Sequence, residues 1–256
     1  MEDLYSRNCF YITQREQEVI RNTRLLFGGA GIGSNIAECA LRFGFERITL
    51  IDGDKVELSN LNRQNYQRSD IGKYKAEALA NRLLKINPDA DIKLHCEYIS
   101  EDNINRLVDN CDIAVNALDF RNDIPLKFDE RCRAMDVPIL HPYNFGWGGL
   151  LMIVTPDSLP LSSLMRNSNP VGFELEMARY VSGFSQFWNL PENNWLHPIV
   201  EDYANDSDNM IVPQLSIGSW IVGAMSVDAM FRLITNKPVK QCPKFYLTSM
   251  CEAMTQ

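Results

Sequence analysis

A glycine-rich turn between two apolar segments most strongly constrains the fold of this 256-residue chain. Residues 25–54 read LLFGGAGIGSNIAECALRFGFERITLIDGD, which predicts a strand, a tight turn, a helix and a second strand. Gly28, Ala30 and Gly33 fit a G-x-G-x-x-G frame, with alanine at the middle position. Such a turn lets the next helix direct its free N–H groups at phosphate oxygens. The segment therefore predicts a nucleotide-binding βαβ unit.

The acidic residues after the second predicted strand strengthen this interpretation. A glycine-rich turn, here with Gly29 and Gly31 also inside it, can serve only to pack a helix on a sheet. Asp52, however, ends the second strand about 20 residues after the turn, where a carboxylate holds a ribose in dinucleotide-binding folds. Asp54 follows in the same loop, either as a nucleotide contact or as a cap of the turn.

A polar cluster of Asn60, Arg63 and Gln64 comes next in the sequence. In open α/β sheets, ligands bind beyond the carboxyl ends of the strands, which is where this cluster falls. An arginine there suits a triphosphate better than a nicotinamide, because a guanidinium makes forked, charge-assisted bonds to phosphate oxygens. The alternative is that Arg63 is a solvated loop residue.

On these residues the chain resembles the ThiF/MoeB/HesA family, the bacterial relatives of ubiquitin-activating enzymes. Members of that family adenylate the C-terminal carboxylate of a protein or peptide. The resemblance extends to IGKYKAE at 71–77, which matches a second basic segment of the family. It implies a phosphate-binding role for Lys75, with Lys73 as the alternative, although a lysine opening an amphipathic helix can also be a plain surface residue.

Two more matches lie outside this region. VNALD at 115–119 ends in Asp119, which stands where the family has its magnesium-binding aspartate. Asp119 could instead cap the next helix. LYSR at 4–7 supplies Arg7, which resembles an arginine that many members insert into the ATP site of a neighbouring subunit. The resemblance therefore implies a homodimer.

The resemblance implies an α/β fold: a Rossmann-like nucleotide-binding domain whose mostly parallel central sheet is continued by a mixed C-terminal half. We expect one domain over 1–256. Its expected parts are a dimerisation segment (1–24), a nucleotide-binding half (25–155), a crossover and substrate segment (156–213), and a C-terminal helix and strand (214–256). Hydrophobic periodicity predicts helices at 73–86, 122–135 and 214–235, and strands at 92–98, 113–118, 138–140 and 150–154.

The crossover segment is harder to interpret from its sequence. It has little periodicity, and its acidic stretch at 192–209 contains no lysine or arginine. The acidic stretch can be a plain solvated surface, or part of a long loop that passes over the nucleotide and guides the substrate. The aromatic residues nearby could anchor a short helix or line a peptide channel, but most are expected in the core: Phe184, Phe187, Trp188 and Trp195.

The resemblance also implies a chemistry. ATP and Mg²⁺ are the expected cofactors, with Asp119 holding the metal and Arg63 and Lys75 opposing charge on the departing pyrophosphate. Asp52 is expected on the ribose, and Asn60 and Gln64 are expected to orient oxygens. The methyl group of Ala30 would crowd the phosphate path.

The cysteines narrow this chemistry. Many family members hold a structural zinc with paired Cys-x-x-Cys motifs, and this sequence has no Cys-x-x-Cys, so we expect no zinc. The ubiquitin-activating branch transfers its acyl group to a cysteine in the crossover region. Between Cys132 and Cys242 there is no cysteine, so we expect no thioester step, with Cys242 as a remote alternative.

Composition limits the partners. A net charge of −8 argues against a nucleic-acid partner. We see no signal peptide and no stretch approaching the 18 or so apolar residues of a membrane helix, so a cytoplasmic location without membrane contact is expected. The expected substrate is a ubiquitin-like protein or a peptide with a free C-terminus, and a small acid also fits.

Three rival functions stay open. An NAD-dependent oxidoreductase explains the glycines and Asp52 but leaves Arg63, Lys75 and Asp119 without a task. A non-catalytic partner in a heteromeric activating enzyme is the second. The tRNA-modifying branch of the same family, which also lacks the zinc motifs, is the third.

Overall fold

A seven-stranded sheet organises the chain in this computed structural model, which describes residues 4–166, 169–206 and 212–251. The strands stand in the order β3-β2-β1-β4-β5-β6-β7. Their bounds are β1 Arg24–Gly28, β2 Arg47–Ile51, β3 Asp91–His95, β4 Ile113–Asn116, β5 Ile139–Asn144, β6 Gly148–Val154 and β7 Phe245–Ser249. Strands β1 to β5 are parallel, whereas β6 and β7 are antiparallel to their neighbours. The predicted fold class is confirmed.

Helices cover both faces of the sheet. The described residues contain α1 Gln14–Asn22, α2 Gly33–Phe43, α3 Lys75–Ile86, α4 Ile104–Leu107, α5 Ile124–Ala134, α6 Phe173–Phe187, α7 Leu196–Asn205 and α8 Ser216–Ile234. Side chains alternate across β1: Leu25 and Phe27 pack with α2, α3 and α8, while Leu26 packs with α5 and α6. The sheet therefore separates two cores: the first core lies against α2, α3 and α8, and the second core lies against α5 and α6.

The strand order determines where a ligand can bind. After β3 the chain returns to the other side of β1, so β1 lies between β2 and β4. Ligands of open α/β sheets occupy the crevice at such a reversal, beyond the carboxyl ends of the strands. The loops after β1, β2 and β4 meet at this edge, and they carry the residues that the sequence singled out.

The helix α8 differs from the sequence expectation. It is long and apolar enough to cross a membrane by length and composition, with a mean hydropathy of 1.4, so the expectation that no such stretch exists was wrong. The helix packs against α2, β5 and β6, and Val227 and Met230 belong to the core on that face. Its apolar residues are explained by this packing.

The crossover region also differs from the prediction of a long loop. It folds into α6 and α7, which pack on each other and on the second core. Three of the four aromatic residues expected in the core are exposed: Phe184, Phe187 and Trp188. Only Trp195 packs partly against the core. The acidic stretch begins before α7 and runs through it, and its Asp208 lies outside the described residues.

Candidate nucleotide and carboxylate site

The turn after β1 requires glycine at one position for a steric reason. Gly29 has a φ of +95°, and a Cβ built there would lie 2.5 Å from the carbonyl oxygen of Ala117. The turn thus touches the chain that leaves β4. Around it, a Cβ on Gly28 would meet the ring of Phe128 at 2.9 Å, whereas one on Gly33 would make only ordinary contacts.

Ala30, at the middle position of the glycine frame, is held by hydrogen bonds from both sides of its backbone. The residue is fully buried and belongs to the core shared with α2 and α3. Its N–H donates to Asp52 Oδ2 at 2.6 Å, and its carbonyl accepts from the hydroxyl of Tyr66 at 2.7 Å. The methyl group of Ala30 is therefore part of the core beneath the turn.

Asp52 ties the two nucleotide loops together. One carboxylate oxygen accepts from Ala30, and the other accepts from the N–H of Asp54 at 2.7 Å. Burial raises the pKa of Asp52, and the nearby positive charge of Lys75 opposes that rise. Each carboxylate oxygen has a second lone pair, so both can still accept a ribose hydroxyl.

Asp54 and Lys75 form an ion pair at the start of α3. Lys75 Nζ lies 2.9 Å from Asp54 Oδ2, and the hydroxyl of Tyr98 donates to Asp54 Oδ1 at 2.8 Å. Burial disfavours the charged form of Asp54, but the bonds from Lys75 and Tyr98 outweigh it, so its pKa is lowered. Asp54 is therefore more than a turn cap. Lys73 turns away to Asp70 at 3.1 Å, which leaves Lys75 as the lysine at the crevice.

Arg63 is held from three sides. Its Nη1 donates to the carbonyl of Ser59 at 2.9 Å and to Asn62 Oδ1 at 2.8 Å. Its Nε donates to the side-chain oxygen of Gln214, which lies 151 positions along the chain. Burial lowers the pKa of Arg63, and the negative charge of Asp119 opposes that shift. The guanidinium is thus partly desolvated and close to a carboxylate.

Asn60 and Gln64 have different surroundings. Asn60 is buried, and its Oδ1 accepts from the N–H of Glu57 at 2.9 Å, so it shapes the turn that carries Arg63. The side chain of Gln64 lies against Gly31, 3.3 Å from where a Cβ would stand. Its Oε1 is buried and has no hydrogen-bond donor among the described residues. A ligand with a hydroxyl or an amine would satisfy it.

Asp119 is exposed at the carboxyl end of β4. The helix that follows begins at Ile124 with Asp123 at its N-cap, so the alternative that Asp119 caps it is wrong. Asp119 Oδ2 lies 3.0 Å from Arg121 Nη2. The positive charge of Arg121 also lowers the pKa of Asp54. Sequence reasoning missed Arg121, although it stands only two positions after the predicted aspartate.

The second half of the crevice is an apolar cavity of about 290 Å³. It lies beyond the carboxyl ends of β4 and β5 and is closed by α6, α7 and residues 212–215. Asp119 and Gln214 line its polar end. Glu174 also lines the cavity, and its carboxylate accepts a hydrogen bond from the N–H of Phe120 at 2.9 Å. Gln214 and Glu174 lie in the segment without a motif, so only the fold could identify them.

Arg7 lies far from this crevice. It sits in a short 3-10 helix, Ser6–Asn8, and the amide of Asn8 donates to the carbonyl of Phe43 at 2.9 Å. Phe43 ends α2, whose first residues face the crevice. Because α2 has 11 residues, its two ends are about 16 Å apart. Arg7 is therefore near the opposite edge of the sheet.

Two further features bear on the chemistry of the site: the clusters of metal-binding side chains and the reactivity of the Cys242 thiol. Across the part of the chain that the structure describes, no group of three or more His, Cys, Asp or Glu residues could hold a metal ion. Cys242 is buried, and burial, with a smaller effect from Asp129, raises its pKa to about 11. A thiol with that pKa is almost entirely protonated at neutral pH, which disfavours it as a nucleophile.

Comparison with known proteins identifies relatives of this chain. The sequence profile of the ThiF family matches residues 5–255. The sulfur carrier protein ThiS adenylyltransferase of Bacillus subtilis (strain 168) is 31% identical over 178 residues, covering 67% of this chain and 53% of that protein. Ubiquitin-like modifier-activating enzyme 5 of Caenorhabditis briggsae is 38% identical over 105 residues, covering 41% of this chain and 23% of that protein. The chain thus spans about half or less of the length of these two relatives.

A solved structure extends the similarity to the three-dimensional fold. MccB of E. coli, crystallised with ATP, superposes with a TM-score of 0.68 at 18% identity, covering 98% of this chain and 72% of that one. At this identity the likeness shows the fold alone.

Proposed function

Because the chain belongs to the ThiF family, we propose that it uses ATP to adenylate a carboxylate at the C-terminus of a protein or peptide. The products are an acyl-adenylate and pyrophosphate. The names of two relatives support this reaction and substrate class, since one is an adenylyltransferase of a sulfur carrier protein and the other activates a ubiquitin-like modifier.

One observation carries the proposal: charged side chains of both signs gather at the ends of β2 and β4. Lys75 pairs with Asp54, Arg121 pairs with Asp119, and Arg63 is close enough to Asp119 for its pKa to respond to that charge. A triphosphate needs several cations, and its metal needs a carboxylate. A dinucleotide site explains none of these pairs.

The protein side chains have two tasks in this reaction. The substrate carboxylate attacks the α-phosphorus, and the bond to the pyrophosphate oxygen breaks, so negative charge develops on the leaving group. Half-buried Arg63 and buried Lys75 can stabilise this charge, and burial makes their effect larger than in water. Holding the two reactants in line supplies much of the remaining acceleration.

The nucleotide itself is bound by the first two loops. Asp52 accepts the ribose hydroxyls, and the partnerless oxygen of Gln64 accepts one further hydroxyl or amine of ATP. The N-terminus of α2 directs free N–H groups at the phosphates. These contacts are compatible with the buried methyl of Ala30.

Asp119 is our proposed ligand for Mg²⁺. This ion commonly uses one or two carboxylates together with substrate phosphates and water, so a single exposed aspartate fits its needs. Bound Mg²⁺ neutralises phosphate charge. On binding, the carboxylate of Asp119 must be shared between the metal and Arg121.

We also propose that the acyl-adenylate is the end point on this protein, without a cysteine thioester. The sequence between Cys132 and Cys242 has no cysteine, and the raised pKa of Cys242 supports this view. Cys242 Sγ instead lies 4.0 Å from the carbonyl of Pro160, within the second core.

A homodimer is proposed from the position of Arg7. Near the opposite edge of the sheet, Arg7 cannot reach its own ATP site, but a two-fold partner can receive it. Apolar residues beside it support a contact surface, because Phe10 and Tyr11 are 103% and 89% exposed. An arginine given to a neighbouring active site is a known means of stabilising phosphoryl charge.

The test is ATP–pyrophosphate exchange in the presence of a carboxylate substrate. Arg63→Ala should lower kcat/KM by roughly 10- to 100-fold, which corresponds to the loss of a charge-assisted hydrogen bond. Arg68→Ala is the matched control, because Arg68 is an exposed arginine of the same region, and it should leave exchange unchanged. Tight binding of NAD without binding of ATP would contradict the proposal. ATP binding without exchange would favour a non-catalytic partner.

A further inference from the structure

We propose that the apolar cavity beside Asp119 binds a large apolar side chain of the substrate's C-terminal residue, so that a tail ending in glycine is disfavoured. This inference rests on the proposed adenylation of a C-terminal carboxylate. It adds the kind of residue that bears the carboxylate.

The cavity shares Asp119 with the charged cluster and contains none of its other charged residues. Asp119 and Gln214 line it, whereas Asp52, Arg63 and Lys75 do not. Gln214 also bonds to Arg63, so the wall of the cavity is joined to the phosphate-binding arginine. A group in the cavity would therefore lie beside the nucleotide rather than in its place.

The distribution of charge orients the substrate. Of the described residues that line the cavity, none is a lysine or an arginine, while Asp119 and Glu174 contribute two carboxyl groups. A terminal carboxylate therefore turns toward Arg63 and Arg121 outside the cavity. Its α-carbon then stands at the mouth, and the side chain of the same residue points inward.

The walls suit an apolar group. They consist mainly of aliphatic and aromatic side chains from α6, α7 and the strand ends, including Leu118, Phe145, Leu175, Leu196, Ile199 and Val200. The volume of about 290 Å³ exceeds the roughly 150 Å³ of an engineered protein cavity that binds benzene. Glycine has no side chain to fill this space, so it gains nothing from burial there.

One polar position modifies this preference. The hydroxyl of Tyr143, a lining residue, is buried without a hydrogen-bond partner in the described chain, and the carboxylate of Glu174 also lines the cavity. An acidic side chain would meet this charge and that of Asp119. The cavity therefore selects against terminal aspartate and glutamate as well as glycine.

The experiment uses pools of short peptides with mixed upstream residues and one fixed C-terminal residue: Gly, Ala, Leu, Phe or Glu. Each pool is tested with the full chain in ATP–pyrophosphate exchange, and hydroxylamine traps the acyl-adenylate for mass spectrometry. Leu and Phe pools should exceed the Gly and Glu pools about 10- to 100-fold in kcat/KM, the gain expected from burying one such side chain. Equal or better use of the Gly pool would overturn the inference and leave adenylation intact. Exchange with no pool would overturn this inference as tested on peptides and restrict the proposed function to a folded protein substrate.

A pair of variants links the preference to the cavity. Ile199→Trp fills the cavity from α7 at a half-buried position, and Ile86→Trp makes the same change at a half-buried position on the far end of α3. Ile199→Trp should reduce the advantage of the Phe pool over the Ala pool at least 10-fold without changing ATP binding. Ile86→Trp should keep that advantage. Thermal melting identifies a variant that fails to fold, and an undiminished Phe preference in folded Ile199→Trp would count against the cavity.

Discussion

At the scale of single residues, Gln214 joins the two halves of the crevice. It holds Arg63 by its side-chain oxygen and lines the apolar cavity. We predict that Gln214→Ala lowers kcat/KM of ATP–pyrophosphate exchange by roughly 10-fold, because a hydrogen bond to a charged group is lost and Arg63 is less well oriented. Gln186→Ala, at an exposed position on α6, is the control. An unchanged rate in Gln214→Ala would show that Arg63 needs no such support.

Gly29 gives a second prediction at this scale, about stability. Gly29→Ala forces a side chain into a positive φ and against the carbonyl of Ala117, so it should destabilise the fold by about 2 kcal/mol or more. Gly183→Ala should do the opposite, by about 0.5–1 kcal/mol, because it lies in α6 with no atom within 4 Å of the new methyl group. Thermal unfolding of both variants measures the difference, and equal melting temperatures would contradict it.

Sequence reasoning selected some of the residues at this crevice and missed others. Asp52, Lys75 and Asp119 were predicted because each follows a strand or opens a helix within a short motif. Gln214 was missed because its partner is 151 positions away, and such a pairing exists only once the chain has folded. The roles of Ala30 and Asn60 depended on which way a side chain points, which a motif does not state.

At the scale of secondary-structure elements, the N-cap of α1 offers a test with a defined pH dependence. Thr13 accepts from the N–H of Glu16, and the carboxylate of Glu16 accepts from Thr13 in return. These bonds, with one from Lys237, lower the pKa of Glu16 from 4.5 to about 2. A carboxyl group whose pKa is lowered by folding stabilises the protein above its unfolded pKa, and this contribution disappears as the pH falls through the folded value.

We therefore predict that Thr13→Ala costs about 1 kcal/mol near neutral pH, the usual value for a lost N-cap. The cost should shrink as the pH falls from about 4.5 toward 2, because protonated Glu16 no longer stabilises the cap. Denaturant unfolding at several pH values measures this. A cost that stays constant across this range would mean that Glu16 takes no part in the cap.

The helices also show where hydrophobic periodicity fails to predict an element. Helix α3 was predicted to within two residues at its start, because its apolar stripe faces one core. Helix α6 was foreseen only as a possible short helix at its aromatic residues, since exposed aromatic residues at its end, Phe187 at 79% and the C-cap Trp188 at 61%, blur the polar face that identifies a surface helix. A helix with apolar groups on several sides gives no clear period.

At the scale of the whole molecule, the shared arginine predicts complementation. Arg7→Ala and Arg63→Ala chains should each show pyrophosphate exchange lowered by roughly 10- to 100-fold, and mixing them should restore part of the activity. In a mixed dimer, one of the two sites has both arginines, because Arg7 comes from one protomer and Arg63 from the other. Wild-type chain mixed with the double variant Arg7→Ala/Arg63→Ala is the control. A dimer of these two chains has no site with both arginines, so a fall in activity shows that subunits exchange. A monomer by light scattering with full exchange activity would refute the shared site.

The sheet was the most predictable level of the molecule. A strand buried on both faces requires an apolar run, and the predicted strands at 113–118 and 150–154 overlap β4, which is parallel to its neighbours, and β6, which is antiparallel. The cavity could not be foreseen, because its walls come from two strand ends, two helices and residues 212–215, which approach one another only in space.

The contact between Gly29 and Ala117 has a consequence for recognising distant relatives in genomes. Gly29 is required by the crossing of the two chain segments, whether or not a nucleotide ever binds. A descendant that had lost Arg63, Lys75 and Asp119 would therefore still keep this glycine. Searches based on Gly29 would collect inactive scaffold subunits together with working enzymes, and the charged residues beyond the strand ends would separate the two groups.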